Sequence, residues 1–178
     1  MKELSLHILD LMQNSIEAGA KNIWLEMIKD NLSDKLIIKL KDDGKGIPQE
    51  ILEEVKNPFF TTRKTRKVGL GIPLFNEVIN SCGGKMEVKS EPGKGTEVYA
   101  EVPLSHLDLP PIGDLPGTIL GIIVTNPEIN LHLNLKDNDR EFNFSTEVLK
   151  EELREIPLNS PESISFLKLY LKENLGGW

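Results

Sequence analysis

Polar side chains recur along one side of the first helical segment of the chain. The stretch ELSLHILDLMQNSIEAGA, residues 3–20, places its apolar side chains on one wide face of an α-helix. The opposite side carries an acidic and amide-rich stripe at offsets of three and four residues: Glu3, His7, Asp10, Asn14 and Glu17. Oxygen ligands suit Mg²⁺, and a carboxylate can orient a water molecule. The stripe therefore predicts a site for a divalent cation and a water molecule.

A glycine-rich turn follows the second predicted strand. The segment DDGKGI, residues 42–47, contains two glycines one residue apart. Such glycines let the backbone turn tightly and come close to a ligand. Because Asp-Gly is also common in ordinary turns, this segment alone favours a strand-exit turn, with a binding loop as the alternative.

A basic segment stands out in an otherwise acidic protein. Residues 57–74, NPFFTTRKTRKVGLGIPL, combine threonine hydroxyls, four cations and a Gly-x-Gly pair that opens a predicted helix. Free N–H groups at a helix N-terminus attract anions, and nearby cations add to that attraction. The segment predicts phosphate binding, with a solvated loop as the alternative.

Composition limits the class of protein. The chain has 178 residues, 39% of them apolar, a net charge of −7 and a pI near 5.1. This acidity argues against a broad nucleic-acid-binding face. The single cysteine, Cys82, cannot form an internal disulfide, which predicts a reducing cytoplasm and a buried, unreactive side chain. The sequence predicts neither a signal peptide nor a membrane span.

The order of predicted elements defines the fold class. Residues 1–104 read as helix, two strands, short helix, loop, helix and two strands. This order predicts an α+β fold, a two-layer sandwich with helices on one face of a mixed, mainly antiparallel sheet. Residues 105–118, rich in proline and glycine, predict a linker.

Residues 119–178 predict a small α+β extension or second domain of unknown role. Its strand candidates are residues 119–124, 131–135 and 141–144, and its helix candidates are residues 146–155 and 160–174.

Taken in order, these motifs resemble those of the GHKL ATPase superfamily, which includes sensor histidine kinases, MutL-type and gyrase-type ATPases and heat-shock chaperones. The first helix resembles the N box, with Asn14 at the Mg²⁺-binding position, and NSIEAGAKNI is similar to the MutL type. DDGKG resembles the G1 box, in which Asp42 would accept the adenine amino group. NPFFTTRK and GLGIPL resemble the F and G2 boxes of histidine kinases, and GKGTEV, with Thr96, resembles the strand that borders the adenine pocket.

The resemblance covers about residues 3–104 and implies a Bergerat-type ATP-binding fold with ATP and Mg²⁺ as cofactors. It implies that Asn14 is a metal ligand and that Asp10 orients or deprotonates the attacking water or hydroxyl. Asp10 is one methylene shorter than the glutamate that strongly hydrolysing members carry. The nucleotide-binding residues implied by the resemblance are Asn14, Asp42, Gly44, Gly46, Ile47, Thr61, Thr62, Arg63, Lys64, Gly69, Leu70, Gly71 and Thr96.

The resemblance implies an Mg-ATP-binding protein with slow hydrolysis or phosphotransfer to a partner protein. Two alternatives remain: an ATP-gated switch acting through the C-terminal region, and a non-catalytic nucleotide-binding accessory module. Since the motifs begin at residue 3, we expect a stand-alone ATP-binding domain. The expected partners are ATP or ADP, a protein of unknown identity and a second copy in a homodimer, with no nucleic acid and no membrane.

Overall fold

A six-stranded mixed sheet organises the part of the chain that the computed structural model describes, residues 3–56 and 71–178. The strands are β1 (Asn22–Asp30), β2 (Lys35–Asp42), β3 (Lys85–Glu91), β4 (Gly95–Pro103), β5 (Asn130–Asp137) and β6 (Arg140–Ser145). The helices are α1 (Leu4–Glu17), α2 (Gln49–Lys56), α3 (Gly71–Ser81), α4 (Leu115–Thr125), α5 (Thr146–Leu153) and α6 (Pro161–Leu175).

The strand order is β3-β4-β2-β1-β5-β6. Neighbouring strands are antiparallel, except that β1 and β5 run parallel, from Asn22 beside Asn130 to Lys29 beside Asp137. A mixed, mainly antiparallel sheet layered with helices confirms the predicted α+β class.

Alternation along the strands decides which face of the sheet is buried. In β1, the side chains of Ile23, Leu25 and Met27 are at most 1% exposed, whereas Trp24 between them is 38% exposed. Successive side chains of a strand point to opposite faces, so this pattern assigns one face to the core. The apolar stripe of α1 and the buried cysteine, Cys82, belong to the same core, as the sequence predicted.

The apolar run at residues 119–124 belongs to helix α4, so its prediction as a strand was wrong. The buried residues of this helix recur at helical spacing: Leu115, Ile119, Ile122 and Ile123. The Asp114 side chain caps the helix by accepting a hydrogen bond from the Gly117 N–H at 2.9 Å. A short apolar run does not by itself distinguish a strand from a buried helix, and the capping residue upstream supplies the distinction.

The C-terminal part of the chain extends the same sheet. Strand β5 lies beside β1, and β6 pairs with the outer side of β5. From α6, Leu167 and Leu171 are fully buried in the common core. The extension is thus packed on the first part of the fold. Within residues 3–56 and 71–178, no helix has the length and apolar character needed to cross a bilayer.

The proline-containing segment before α4 is attached to the start of α1. The Leu4 N–H donates to the Pro111 carbonyl at 2.9 Å, and the Ser5 N–H donates to the Ile112 carbonyl at 2.8 Å. Helix α1 has no side-chain cap. These two carbonyls therefore satisfy N–H groups that the start of a helix leaves free. The end of the predicted linker, residues 105–118, belongs to α4.

Ending the chain at residue 104 removes the parallel partner of β1 together with the helices that share its core. We expect the shortened protein to aggregate or to unfold at a urea midpoint lower by more than about 1 M, since losing a few kcal/mol of apolar burial shifts the midpoint by that order. Urea titration followed by circular dichroism measures this. A midpoint equal to that of the full chain would show that residues 1–104 fold without the extension.

Candidate functional site

A cavity of about 670 Å³ opens beside α1, the loop after β2 and the start of β4. The polar residues that line it, within the described ranges, are Asn14, Ser15, Glu17, Asp42, Lys45 and Thr96. The apolar lining residues include Leu11, Ala18, Leu40, Ile47, Pro48, Ile51, Ile72, Pro92 and Val98. A largely apolar wall with a few polar groups, at this volume, is typical of a small-molecule site.

The carboxylate of Asp42 lies at the base of the cavity and is 4% exposed. Its Oδ1 accepts hydrogen bonds from the N–H groups of Gly44 at 2.9 Å and Thr96 at 3.2 Å. Its Oδ2 accepts from the Ser15 hydroxyl at 2.7 Å. A carboxylate offers about four acceptor positions. Three are used within the protein, and because Asp42 lines the cavity, the remaining one is available to a donor on a ligand.

Two glycines shape the loop after β2. A Cβ added at Gly44 would stand 2.9 Å from the Ala18 Cβ, so the loop lies directly against α1. Gly46 has a φ of +72°, and a Cβ there would collide with the Glu91 backbone carbonyl. Side chains at either place would displace the loop. The Lys45 N–H also donates to the Ala18 carbonyl at 2.9 Å, which fixes the loop to the end of α1.

The Ser90 hydroxyl joins this loop to the start of β4. Its Oγ accepts from the Ile47 N–H at 2.8 Å and donates to the Gly95 carbonyl at 2.9 Å. It also lies 2.8 Å from the Thr96 Oγ1. The backbone N–H of Ile47 is therefore used within the protein, and Ile47 contributes its side chain to the cavity wall.

The polar stripe of α1 faces the start of α3. Asn14 lines the cavity, and its Nδ2 is buried with no hydrogen-bond partner in the described part of the chain. A Cβ added at Gly71 would stand 3.0 Å from the Asp10 Cβ and 3.1 Å from the Asn14 Nδ2, so α3 packs tightly on this turn of α1. Asp10 is half-buried and is not part of the described cavity lining.

His7, which was predicted to share the polar stripe and face the site, lies in the core. It is 1% exposed, its ring centroid is 5.7 Å from that of Phe75, and neither ring nitrogen has a hydrogen-bond partner among the residues described. Burial lowers the pKa of His7, while the Asp10 carboxylate acts in the opposite direction. The spacing along α1 was correct, but packing by α3 removes His7 from the surface.

The structure brings several of the predicted binding residues to one cavity. Those that line it are Asn14, Asp42, Gly46, Ile47 and Thr96. Gly44 and Gly71 lie behind the wall as contacts of α1. Six predicted residues lie outside the described ranges: Thr61, Thr62, Arg63, Lys64, Gly69 and Leu70. The binding roles of all these residues stay predictions.

Sequence reasoning missed Ser15 and Ser90. Both are polar residues at positions where the periodicity calls for an apolar one. Ser15 stands four residues after buried Leu11 on the helix, and Ser90 stands two residues after buried Val88 on the strand. A polar side chain on a core face needs a hydrogen-bond partner, and this is the signal that could have identified them.

Asp43, next to the cavity residue Asp42, connects the same loop to β1. Its Oδ1 accepts from the N–H groups of Lys21 at 2.8 Å and Asn22 at 2.9 Å, and its Oδ2 accepts from the Asn22 side chain at 2.7 Å. Partial burial raises the pKa of Asp43. The hydrogen bonds, led by that of the Asn22 side chain, outweigh this effect and hold the pKa below its usual value.

Comparison with known proteins identifies the class of the chain. Residues 2–106 match the family described as "Histidine kinase-, DNA gyrase B-, and HSP90-like ATPase". Since this match covers more than half of the chain, the protein belongs to that family, and the matched domain is like the catalytic domains of histidine kinases.

Two relatives are sporulation kinases of Bacillus subtilis (strain 168). The chain is 30% identical to Sporulation kinase C over 102 residues, 57% of this chain and 24% of that protein. It is 35% identical to Sporulation kinase D over 98 residues, 55% of this chain and 19% of that protein. The chain thus spans about a quarter or less of the length of these relatives.

One solved structure is similar over a larger part of the chain than the sporulation kinases are. It is "Aquifex aeolicus MutL ATPase domain complexed with ADP", with a TM-score of 0.52 at 18% identity, over 86% of this chain and 68% of that chain. This likeness is one of fold, and it covers more of the chain than the family match does.

Replacing Asp43 by asparagine tests the connection between the loop and β1. The folded-state pKa of Asp43 lies below its unfolded value of about 3.9, so the ionised carboxylate stabilises the fold at neutral pH, and this contribution is lost as the pH falls through the folded pKa. We expect Asp43→Asn to lower the urea midpoint at pH 7 and to approach the wild-type midpoint as the pH falls through the folded pKa, measured by denaturation at several pH values. An equal difference at both pH values would contradict this assignment.

Proposed function

We propose that this protein binds ATP in the cavity, with the adenine amino group on Asp42. The single observation that carries the proposal is the Asp42 carboxylate, buried and held by three internal donors with one acceptor position left at the cavity. A carboxylate pairs with an exocyclic amine and is repelled by a carbonyl, so this group favours adenine over guanine. The family match and the ADP named with the MutL ATPase domain support a purine nucleotide.

The residues present fit the phosphate end of Mg-ATP. Asn14 lines the cavity: its side-chain oxygen would ligate Mg²⁺, and its buried Nδ2, which lacks a partner in the described part of the chain, would donate to a phosphate oxygen. Gly71 packs closely beside this amide. Mg²⁺ accepts amide and phosphate oxygens and keeps several waters, so a single protein ligand is enough. Bound there, the ion would neutralise charge on the phosphate oxygens. No group of three or more His, Cys, Asp or Glu residues within residues 3–56 and 71–178 offers a separate metal site.

The charge of a bound triphosphate gives the basic segment, residues 57–74, a role in this proposal. The charged residues described in the cavity wall are Glu17, Asp42 and Lys45, which sum to a negative charge. A triphosphate needs more positive charge than this wall supplies. We therefore propose that the run containing Arg63 and Lys64 contributes to phosphate binding.

We further propose that turnover is slow and depends on Asp10. Asp10 lies one helical turn before Asn14 and against Gly71, beside the cavity. From there it would orient a water molecule or a protein hydroxyl for attack, and hydrolysis or phosphotransfer to a partner protein would follow. The alternative of an ATP-gated switch also has physical support in the fold: the C-terminal extension packs on α1, so nucleotide binding at α1 would alter the surface that the extension offers to a partner.

Asp42→Asn tests the adenine assignment. The amide replaces one acceptor oxygen by a donor, so we expect the dissociation constant for ATP to rise by about 10- to 100-fold, the cost of a hydrogen bond to a charged group. Calorimetric titration with Mg-ATP measures it. Asp43→Asn is the matched control, because that neighbouring carboxylate bonds to β1 and does not line the cavity.

A second measurement uses the wild-type protein alone, so a folding defect in the Asp42→Asn variant cannot affect it. The wild-type protein should bind ATP more tightly than GTP by at least about tenfold, since guanine presents a carbonyl where adenine presents its amine. Equal affinity for the two nucleotides would exclude the proposed role of Asp42.

Asp10→Asn tests turnover separately from binding. We expect this variant to bind ATP as the wild type does but to release or transfer the γ-phosphate at least about 100-fold more slowly, because the amide cannot accept a proton. Incubation with γ-labelled ATP, with and without host lysate, follows both free phosphate and labelled protein. Equal rates would remove Asp10 from the mechanism, and ATP that survives intact in the wild type would favour the accessory module.

A further inference from the structure

The Ser90 hydroxyl has three hydrogen-bond partners, and their chemistry determines to which of them it donates. A serine hydroxyl has one proton to donate and two lone pairs to accept with. The Ile47 N–H, at 2.8 Å, can only donate, and the Gly95 carbonyl, at 2.9 Å, can only accept. The Ser90 proton is therefore directed to Gly95, and one lone pair of Ser90 receives the Ile47 N–H.

This arrangement determines the direction of the third hydrogen bond. The Thr96 Oγ1 lies 2.8 Å from the Ser90 Oγ, and either atom could donate on distance alone. Because the only proton of Ser90 is already used, Thr96 must be the donor. The single donor of the Thr96 hydroxyl is then used, and only its lone pairs remain for a ligand.

Thr96 and Asp42 together present acceptors to the cavity. Both line it, and the Thr96 N–H is itself bonded to the Asp42 Oδ1 at 3.2 Å. Since the Thr96 hydroxyl directs its hydrogen bond to Ser90, this part of the wall offers oxygen lone pairs without a free hydroxyl donor. A base with an exocyclic amine fits such a wall, whereas a carbonyl at the same place would face oxygen atoms only.

We propose that Ser90 is a specificity-determining residue that acts through Thr96: it accepts the hydrogen bond of the Thr96 hydroxyl, so that this hydroxyl cannot donate to a purine with a 6-carbonyl. This inference rests on the proposed binding of a purine nucleotide. Ser90 is a positioning residue: it does not line the cavity, and it reaches the ligand through Thr96 alone. The register of β3 and β4, which pairs Ser90 with Thr96, places the two hydroxyls on the same face of the sheet.

Ser90→Ala frees the Thr96 proton, which can then be donated to a 6-carbonyl. The test compares ATP with inosine triphosphate, which has the same sugar and phosphates but a carbonyl in place of the amine. The wild-type dissociation constant for inosine triphosphate, divided by that for ATP, measures the preference for adenine. We expect this ratio to fall by about tenfold in Ser90→Ala, the order of one hydrogen bond. Ser90→Thr, which keeps the hydroxyl, should retain the wild-type ratio. Isothermal titration calorimetry measures all of these constants.

The ratio separates a specificity role from a structural one. If Ser90 only held the loop at Ile47 in place, its loss would weaken the binding of both nucleotides alike and leave the ratio of their dissociation constants unchanged. That result would overturn the inference. Urea midpoints of each variant report the structural effect independently. Should Ser90→Ala not fold, Ser90→Cys, with a weak hydrogen-bonding group of similar size, provides the same comparison.

A double-mutant cycle tests whether Ser90 acts through Thr96. In a Thr96→Val background, which lacks the hydroxyl, adding Ser90→Ala should leave the ratio unchanged. A further fall in the ratio of the dissociation constants in that background would overturn the assignment of Thr96 as the intermediary. A wild-type protein that binds neither nucleotide would refute the proposed function itself, and this outcome is distinct from binding with an unaltered ratio.

Discussion

The buried carboxylate of Asp42 is the group on which the geometry of the cavity depends. It accepts hydrogen bonds from Ser15 on α1, from Gly44 in the following loop and from Thr96 on β4. A buried carboxylate without donors would be strongly unfavourable, so these elements are held at fixed positions relative to one another. The part of the cavity wall that these elements form is therefore in place without a ligand, and little free energy is needed to arrange it on binding.

Close backbone contacts complete this arrangement. Gly44 lies against Ala18, and Gly71 lies against Asp10; a Cβ would stand 2.9 Å from the Ala18 Cβ at the first glycine and 3.0 Å from the Asp10 Cβ at the second. At Gly95, with a φ of +102°, a Cβ would collide with the Asp42 backbone carbonyl. These contacts allow α1, α3 and the β3–β4 turn to meet around one small volume.

Local patterns allowed much of this fold to be predicted. Strand alternation and helix periodicity identified most elements of the first hundred residues, because each depends on neighbours in sequence. The strand prediction at residues 119–124 failed because a short apolar run fits either kind of element. The parallel pairing of β1 with β5 is a contact between distant parts of the chain, and nothing in either strand alone specifies its partner.

The residues Asn14, Asp42, Gly46 and Thr96, which line the cavity, were named from the sequence, whereas two serine hydroxyls that hold the cavity together were not. Asp42 and Asn14 stood out by residue type, whereas Ser15 and Ser90 gain their roles from partners that only the folded chain brings near. Burial of His7 was likewise missed, since the helix wheel does not show that Phe75 covers that position. Tertiary packing decides such cases.

The attachment of α1 to the segment before α4 also bears on hydrogen exchange. The first amide protons of α1, on Leu4 and Ser5, are held by the carbonyls of Pro111 and Ile112 rather than by a capping side chain. Their exchange with solvent requires that this segment separate from the helix, even while the helix itself stays intact. The amides at the start of α1 thus report on the docking of the C-terminal extension, from the same helix that carries Asp10 and Asn14.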